Sequence, residues 1–274
     1  MRMRRFGLHV LFAVGMLLNT HKAFAHEFWL MPIQFSVDTP GLLRVETLNG
    51  ERFQGTVLPR RDDHIKRFEV LDPSGTAQPV LGRNGNPLSL ARLTTPGMHR
   101  VAYESVENKL ELDAQAFESY LAEEGLSNII DDRAQLGESN KPGREVYVRC
   151  AKTLVLAGSP NLDNQIDKSC GLPLEFILEG KGQPMASHPI TAVVLHNEQP
   201  IRDLRVIAVS ASDPDVRHEL FSDSDGKVRF TPESSGVWMF TTITMERLES
   251  REDADWKSWW SSVTFEVISK PKAG

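Results

Sequence analysis

Apolar and polar residues alternate in short runs along most of the chain, and turn-forming residues separate these runs. The segments 42–48 (LLRVETL) and 203–212 (DLRVIAVSAS) show this period of two, which is typical of half-buried β-strands. Pro96-Gly97 marks a turn, and Asp225-Gly226 predicts a β-hairpin between the strands on either side of it. The pattern therefore predicts an all-β fold of many short antiparallel strands.

The same alternation assigns side chains to the two faces of a strand. In the segment 90–105, the second strand places His99, Val101 and Tyr103 on one face. The segment 144–158 is predicted to be one long strand. One face of that strand carries Val146, Val148 and Cys150, and the other carries Tyr147, Arg149 and Ala151.

The period changes to that of a helix between residues 113 and 139. Apolar residues follow Phe117 at i+3 and i+4, Asp113 is suited to an N-cap, and Gly125 is suited to a C-cap. A second short helix is predicted over 127–139. We therefore expect a short helical insertion in an otherwise all-β chain.

The element order predicts two β-sandwich domains of the Ig-like or carboxypeptidase-regulatory-like type. The N-terminal sandwich is expected over 26–171 and includes the helical insertion. Seven short strands with turns between them predict the C-terminal sandwich over 172–274.

The first 25 residues have the three parts of a secretory signal peptide. Three arginines precede an apolar run over 6–18, and Ala23-Phe24-Ala25 forms a cleavage site. The sequence predicts cleavage after Ala25 and a periplasmic location. The alternative is an N-terminal membrane anchor, although the run is shorter than the roughly 20 residues needed to span a bilayer. No later segment is apolar enough, so the cleaved chain is not expected to span a membrane.

Charge and cysteine content narrow the choice of partners. The chain has a formal net charge of −6, and loss of residues 1–25 removes four basic residues and no acid, which gives −10. This balance argues against nucleic acid as a partner. The cysteines Cys150 and Cys170 predict a disulfide in an exported protein, and the alternative is a pair of soft metal ligands.

Cleavage after Ala25 would make His26 the first residue, and this suggests a metal site. Its α-amine and imidazole could chelate one ion, and a second histidine would complete the nitrogen site that copper(II) or nickel(II) favours. His99 is the preferred second ligand because it lies on a predicted strand of the same domain. His64 is the next candidate, beside two aspartates. The alternative for each is an ordinary histidine without a ligand role, and the same applies to the remaining candidates His188, His196 and His218.

Catalysis receives little support from the sequence. The chain contains no G-x-S-x-G, no H-E-x-x-H and no phosphate-binding loop. Four tryptophans near the C-terminus could form a carbohydrate-stacking platform or fill a sandwich core. They are Trp238, Trp256, Trp259 and Trp260.

The ordered set HEFWLMP, RFEVLDPSG, TPGMHRVAYES, FESYLAEEGL, YVRCAK, SDGKVRFTP and GVWMFTTITME resembles the exported bacterial family called domain of unknown function 4198. The resemblance implies a periplasmic or secreted protein, and members have been labelled as components of cobalt or nickel uptake. It also implies a histidine directly after cleavage, which matches His26. Many members have a His-Met pair where this chain has Thr244-Met245.

Two main functional hypotheses follow. The first is a periplasmic metal-binding protein that assists uptake or buffering of nickel, cobalt or copper, with a metal-uptake transporter or another periplasmic protein as partner. The alternative is a non-catalytic β-sandwich module that binds a protein or a glycan. A third hypothesis is a copper enzyme, which would need a second histidine close to His26.

Overall fold

The computed structural model describes residues 27–159 and 165–269. Nineteen named strands in this part of the chain form three sheets, accompanied by two α-helices and one short 3₁₀ turn. The predicted all-β, sandwich-like fold is confirmed. Within the described ranges, neither helix has the length and apolar character required to cross a lipid bilayer.

The three sheets are named here by their place in the molecule. The N-terminal sheet consists of β1 (Glu27–Pro32), β3 (Gly41–Glu51), β4 (Gln54–Leu58), β7 (Leu81–Gly82) and β8 (Ser89–Leu93). The central sheet consists of β2 (Ser36–Val37), β5 (Ile65–Leu71), β6 (Ala77–Pro79), β9 (Gly97–Ser105), β10 (Asn108–Leu112), β11 (Gly143–Ala157), β15 (Arg205–Ser210), β16 (Asp213–Phe221), β18 (Gly236–Arg247) and β19 (Trp256–Val267). The C-terminal sheet consists of β12 (Leu174–Glu179), β13 (Ile190–His196), β14 (Gln199–Pro200) and β17 (Lys227–Phe230).

The central sheet buries both of its faces, so the molecule has three layers. On one face, Val101 and Val155 pack in a core with Leu43 of the N-terminal sheet. On the other face, Ala102 packs in a core with Phe176 of the C-terminal sheet. Successive residues of β9 thus enter different cores, as the predicted alternation requires.

The two helices form where the helical period predicted them. Helix α1 spans Ala114–Glu124 and α2 spans Ser127–Gln135. The Asp113 carboxylate accepts the N–H of Ala116 at 2.8 Å, and Gly125 adopts the left-handed conformation at a φ of 75°. The buried face of α1 packs on tryptophans of β19, which fixes the helices on the same side of the central sheet as β1.

Strands from both predicted domains share the central sheet. Strand β11 lies beside β19 in parallel, with a register from Glu145 opposite Trp256 to Thr153 opposite Thr264. The predicted domain boundary after Gly171 therefore separates β11 from β19 in the sequence, although these two strands hydrogen-bond to each other.

The prediction of a β-hairpin at Asp225-Gly226 is wrong. Strand β16 pairs with β15 in the central sheet, whereas β17 pairs with β13 in the C-terminal sheet. The turn itself is present, because the Asp223 carboxylate accepts the N–H groups of Asp225 and Lys227 at 3.0 and 2.9 Å. It connects two layers instead of two neighbouring strands.

Candidate functional site: a cavity lined by Arg149

A cavity of about 270 Å³ lies between the N-terminal and central sheets. This volume is close to the lower end of the roughly 300–1,000 Å³ range of small-molecule sites. Three aromatic and three arginine side chains contribute to its lining, namely Phe28, Phe68, Tyr103, Arg60, Arg61 and Arg149. The cavity thus combines apolar surface with positive charge.

The aromatic side of the cavity is held in place by sheet packing. The Tyr103 ring centroid lies 4.8 Å from that of Phe28 and 5.3 Å from that of Phe68, the latter edge to face. Strand β1 is fixed on β19 because the Ser262 and Thr264 hydroxyls donate to the carbonyls of Phe28 and Leu30, at 2.8 and 2.7 Å. The three rings therefore form a rigid apolar surface.

Two of the arginines already have partners in the protein. The Arg60 guanidinium donates to the Asp62 carboxylate at 2.7 Å and to the Ser89 hydroxyl at 3.2 Å. Arg61 donates to the Asp63 carboxylate at 2.8 Å. Each of these positive charges is balanced by a neighbouring aspartate.

Arg149 has no such partner. Its main-chain N–H donates to the Ser105 hydroxyl at 2.9 Å, but its guanidinium makes no hydrogen bond or ion pair with any described residue. The guanidinium carbon lies 5.2 Å from the centre of the Phe28 ring and 5.4 Å from that of Tyr147. Burial lowers the pKa of Arg149, and the nearby tyrosines offset only part of this effect. A partly buried cation without a carboxylate favours an anion beside it.

Tyr103 adds a neutral hydroxyl to the same cavity. Tyr103 is only 6% exposed, and its hydroxyl makes no hydrogen bond to the described part of the protein. Burial raises the pKa of Tyr103 to about 12, so the group stays protonated and can donate. Arg149 and Tyr103 are close enough to influence each other's pKa. Together they offer an unused cation and an unused donor.

The structure separates the predicted metal ligands. His26 lies outside the described residues. His64 lines the cavity, with its side chain 41% exposed and its Nε2 3.8 Å from the Asp63 carboxylate. His99 is buried in β9, where its Nδ1 lies 3.1 Å from the Gly97 carbonyl, and burial lowers its pKa. Of the two candidates that the structure describes, His64 and His99, only His64 contributes to the cavity lining.

The other candidate histidines lie elsewhere in the described structure. His196 packs against Trp259 at 4.5 Å, and His218 packs against Phe230 at 4.9 Å. His188 lies 3.1 Å from the Ala186 carbonyl. In residues 27–159 and 165–269, no group of three or more histidine, cysteine, aspartate or glutamate side chains could hold a metal ion.

The predicted disulfide is absent from the structure, which contains Cys150 and Cys170 as free, buried thiols. Both belong to the core between the central and C-terminal sheets. Burial raises the pKa of each thiol to about 12, so neither is reactive as a thiolate near neutral pH. Thiol titration of the denatured protein distinguishes two free thiols from an oxidised pair.

The clustered tryptophans belong to the core. Trp238, Trp256, Trp259 and Trp260 are at most 6% exposed, so they form no stacking platform on the surface. The sequence does contain one signal for the cavity. Arg149 is a charged residue between Tyr147 and Ala151 on one face of a long strand that is otherwise rich in apolar residues.

Taken together, the fold and the cavity define a β-sandwich protein with a cavity between two sheets that contains Arg149 and three aromatic rings. The family model described as "Domain of unknown function (DUF4198)" matches residues 23–246, and the chain belongs to that family. The match begins before β1 and covers strands of all three sheets. A search of the curated proteins gives no significant match.

Solved structures offer only distant likenesses. The D0-D1 domain of Intimin is 11% identical and aligns over 88% of this chain and 97% of its own, with a TM-score of 0.23. A Salmonella alpha-2-macroglobulin mutant is also 11% identical and aligns over 88% of this chain but 15% of its own, with a TM-score of 0.25. These scores are too low to support any conclusion about function.

Proposed function

We propose that this protein is an exported, non-catalytic binding protein that holds a small anion in the cavity lined by Arg149. The observation that carries the proposal is the unpaired Arg149 guanidinium beside the unpaired Tyr103 hydroxyl. A bound anion would supply the negative charge that no residue in the described part of the chain places beside Arg149. The signal peptide features of residues 1–25 support a periplasmic location for this activity.

Thermal denaturation with a panel of small anions tests the proposal. An anion at about 100 times its Kd stabilises the folded state by about 2.7 kcal/mol, which raises the Tm by several degrees for a chain of this size. We expect the Arg149→Gln variant to lose this shift. Its Tm without ligand should equal or exceed that of the natural protein, because an uncompensated buried charge is removed.

The control variant is Arg202→Gln. Arg202 is 77% exposed and pairs only with its neighbour Asp203, at 3.5 Å. Its removal should leave the anion response unchanged. The proposal is wrong if no anion raises the Tm, or if Arg149→Gln responds as strongly as the natural protein.

We also propose, as a second candidate, that His26 binds nickel, cobalt or copper after signal cleavage. The observation in its favour is that Phe28, two residues after His26, lines the same cavity as His64. The Arg149 guanidinium opposes it, since its charge is not balanced by a described carboxylate and repels a cation. N-terminal sequencing of the exported protein followed by metal titration tests the candidate. A start other than His26, or an unchanged affinity in both His26→Ala and His64→Ala, would exclude it.

A further inference from the structure

We infer that the anion is a carboxylate attached to a small apolar body, such as an arylalkanoate or a branched aliphatic acid. This inference rests on the proposed anion-binding function and specifies the ligand class. Its basis is the juxtaposition of one unpaired guanidinium, one unpaired hydroxyl and a wall of three aromatic rings.

The charge of the cavity matches a monoanion. Arg60 and Arg61 are each neutralised by an aspartate, at 2.7 and 2.8 Å, which leaves Arg149 as the unpaired arginine of the lining. A phosphate dianion would leave one negative charge uncompensated in a partly buried site. A carboxylate carries a single charge and accepts the paired N–H groups of a planar guanidinium.

The geometry of Arg149 limits how it can bind. Its guanidinium carbon lies 5.2 Å from the centre of the Phe28 ring and 5.4 Å from that of Tyr147, and these two contacts restrict its orientation. The Tyr103 hydroxyl is protonated over the physiological pH range and can donate a further hydrogen bond to a carboxylate oxygen. This arrangement resembles a clamp for one planar acid group.

The rest of the cavity is suited to an apolar body. Beyond the three rings, Leu58, Pro59 and Ile65 contribute apolar side chains. The Ser105 hydroxyl, which could otherwise contact a sugar, already donates to the Val106 carbonyl at 2.7 Å and accepts from the Arg149 N–H. The Ser89 hydroxyl accepts from Arg60. The Ser105 hydroxyl is thus fully engaged, and the apolar side chains of the lining favour an apolar ring or branched chain over a sugar.

Isothermal titration of the full exported chain tests the ligand class with five probes. The acids are 3-phenylpropionate, 4-methylpentanoate and acetate, and the others are 3-phenylpropanamide and inorganic phosphate. We expect one of the two larger acids to bind at least about tenfold more tightly than acetate, which lacks the body, because a buried apolar body adds favourable transfer free energy. The same acid should bind about tenfold or more tightly than the neutral amide, because the amide cannot form a charged hydrogen-bonded pair with Arg149.

The outcomes separate the two proposals. If phosphate or acetate binds as tightly as the larger acids, the carboxylate-with-apolar-body inference is wrong while anion binding stands. If the amide binds as tightly as its acid, the charge of Arg149 is irrelevant and both are wrong. If none of the probes binds, both proposals are rejected.

Variants identify the groups that hold the ligand. Tyr103→Phe keeps the ring and removes the hydroxyl, and we expect about tenfold weaker binding of the larger acid, as for loss of a hydrogen bond to a charged group. Arg149→Lys keeps the charge but loses the fork and should weaken binding by a similar factor. Tyr147→Phe is the matched control, because Tyr147 contacts Arg149 without lining the cavity. Equal losses in Tyr103→Phe and Tyr147→Phe would overturn the assignment of Tyr103.

Discussion

Glu145 is a buried acid beneath the helices, and the protein surrounds it with hydroxyls instead of a cation. Its carboxylate accepts hydrogen bonds from the Tyr120 hydroxyl at 3.2 Å and from the Ser258 hydroxyl. Its second oxygen is buried without a hydrogen-bond partner. Burial raises the pKa of Glu145 to about 7, although these two hydrogen bonds act in the opposite direction. The folded protein therefore prefers the protonated form.

This preference makes stability depend on pH. Because the folded pKa is higher than that of the unfolded chain, stability falls as the pH rises from about 4.5 to about 7, and the loss is complete above that range. A difference of this size corresponds to roughly 3 kcal/mol. We expect Glu145→Gln, which mimics the protonated acid, to raise the Tm at pH 8 by several degrees and to have little effect at pH 4.

The control for this prediction is Glu233→Gln, an exposed position that should leave the Tm unchanged at both pH values. Differential scanning calorimetry at the two pH values provides the measurement. An equal gain at pH 4 and pH 8 would show that the effect of Glu145→Gln does not come from ionisation.

For single residues, the sequence predicted which face of a strand a side chain occupies better than it predicted what that side chain contacts. Alternation correctly placed Arg149 opposite Cys150 and Tyr103 beside Val101, since strand geometry alone decides which face a side chain occupies. It could not show that Arg149 lacks a carboxylate partner. That fact depends on Asp62 and Asp63, each of which pairs with the arginine two positions before it instead of with Arg149.

Among the elements, strand β11 holds the segment after residue 165 through a buried ion network. The Lys152 ammonium lies 2.7 Å from the Asp167 carboxylate and 3.1 Å from that of Glu175, and all three side chains are at most 1% exposed. The Glu175 carboxylate also accepts the main-chain N–H of Cys170 at 2.6 Å. The network thus connects β11, this segment and β12.

Removal of the Lys152 cation alone should strongly destabilise the protein. We expect Lys152→Met to destabilise the protein by about 3–5 kcal/mol, because it leaves two buried carboxylates without a counter-ion. The triple variant Lys152→Met, Asp167→Asn, Glu175→Gln should recover most of that loss. Urea denaturation measures both.

Lys66→Met is a suitable comparison, since Lys66 is 64% exposed and pairs with Glu104 at 2.7 Å. An ion pair with one exposed partner contributes at most about 1 kcal/mol. If Lys152→Met costs no more than Lys66→Met, or if the triple variant is less stable than the single one, the network does not anchor this segment.

The elements themselves follow from local sequence, but their pairing does not. Asp113 caps the N-terminus of helix α1 and Gly125 caps its C-terminus, as predicted. The first cap depends on one side chain and the second on one backbone conformation, so both follow from the local sequence. The Asp225-Gly226 turn also forms, yet the strands beside it enter different sheets. Their partners begin at Arg205 and Ile190, and no local period in the sequence encodes that choice.

For the molecule as a whole, the central sheet makes the two halves depend on each other. Strand β19 lies between β18 and β11. One edge of β19 therefore pairs with a strand of the C-terminal half, and the other edge pairs with a strand of the N-terminal half. The N-terminal sheet and the helices cover one face of the central sheet, and the C-terminal sheet covers the other.

We therefore expect the chain to unfold in a single cooperative transition. The fragment 172–274 alone would expose the β19 edge that β11 covers in the intact chain, and we expect it to aggregate or remain unfolded. Calorimetry of the intact chain and circular dichroism of the fragment test this. Two separate calorimetric transitions, or a fragment with a cooperative melt of its own, would show that the halves are independent.

The position of β19 also has a consequence for the order in which the protein can fold. A chain that is synthesised or delivered amino terminus first presents β11 long before its neighbour Trp256–Val267 arrives. Until then, the long strands β11 and β18 each lack a partner on the edge that β19 later covers. The contact that closes the sheet joins residues more than a hundred positions apart. Topologies with such distant pairings fold slowly. This protein can complete its central sheet only after nearly all of its length is available, and these strand edges stay open to pairing with other chains in that interval.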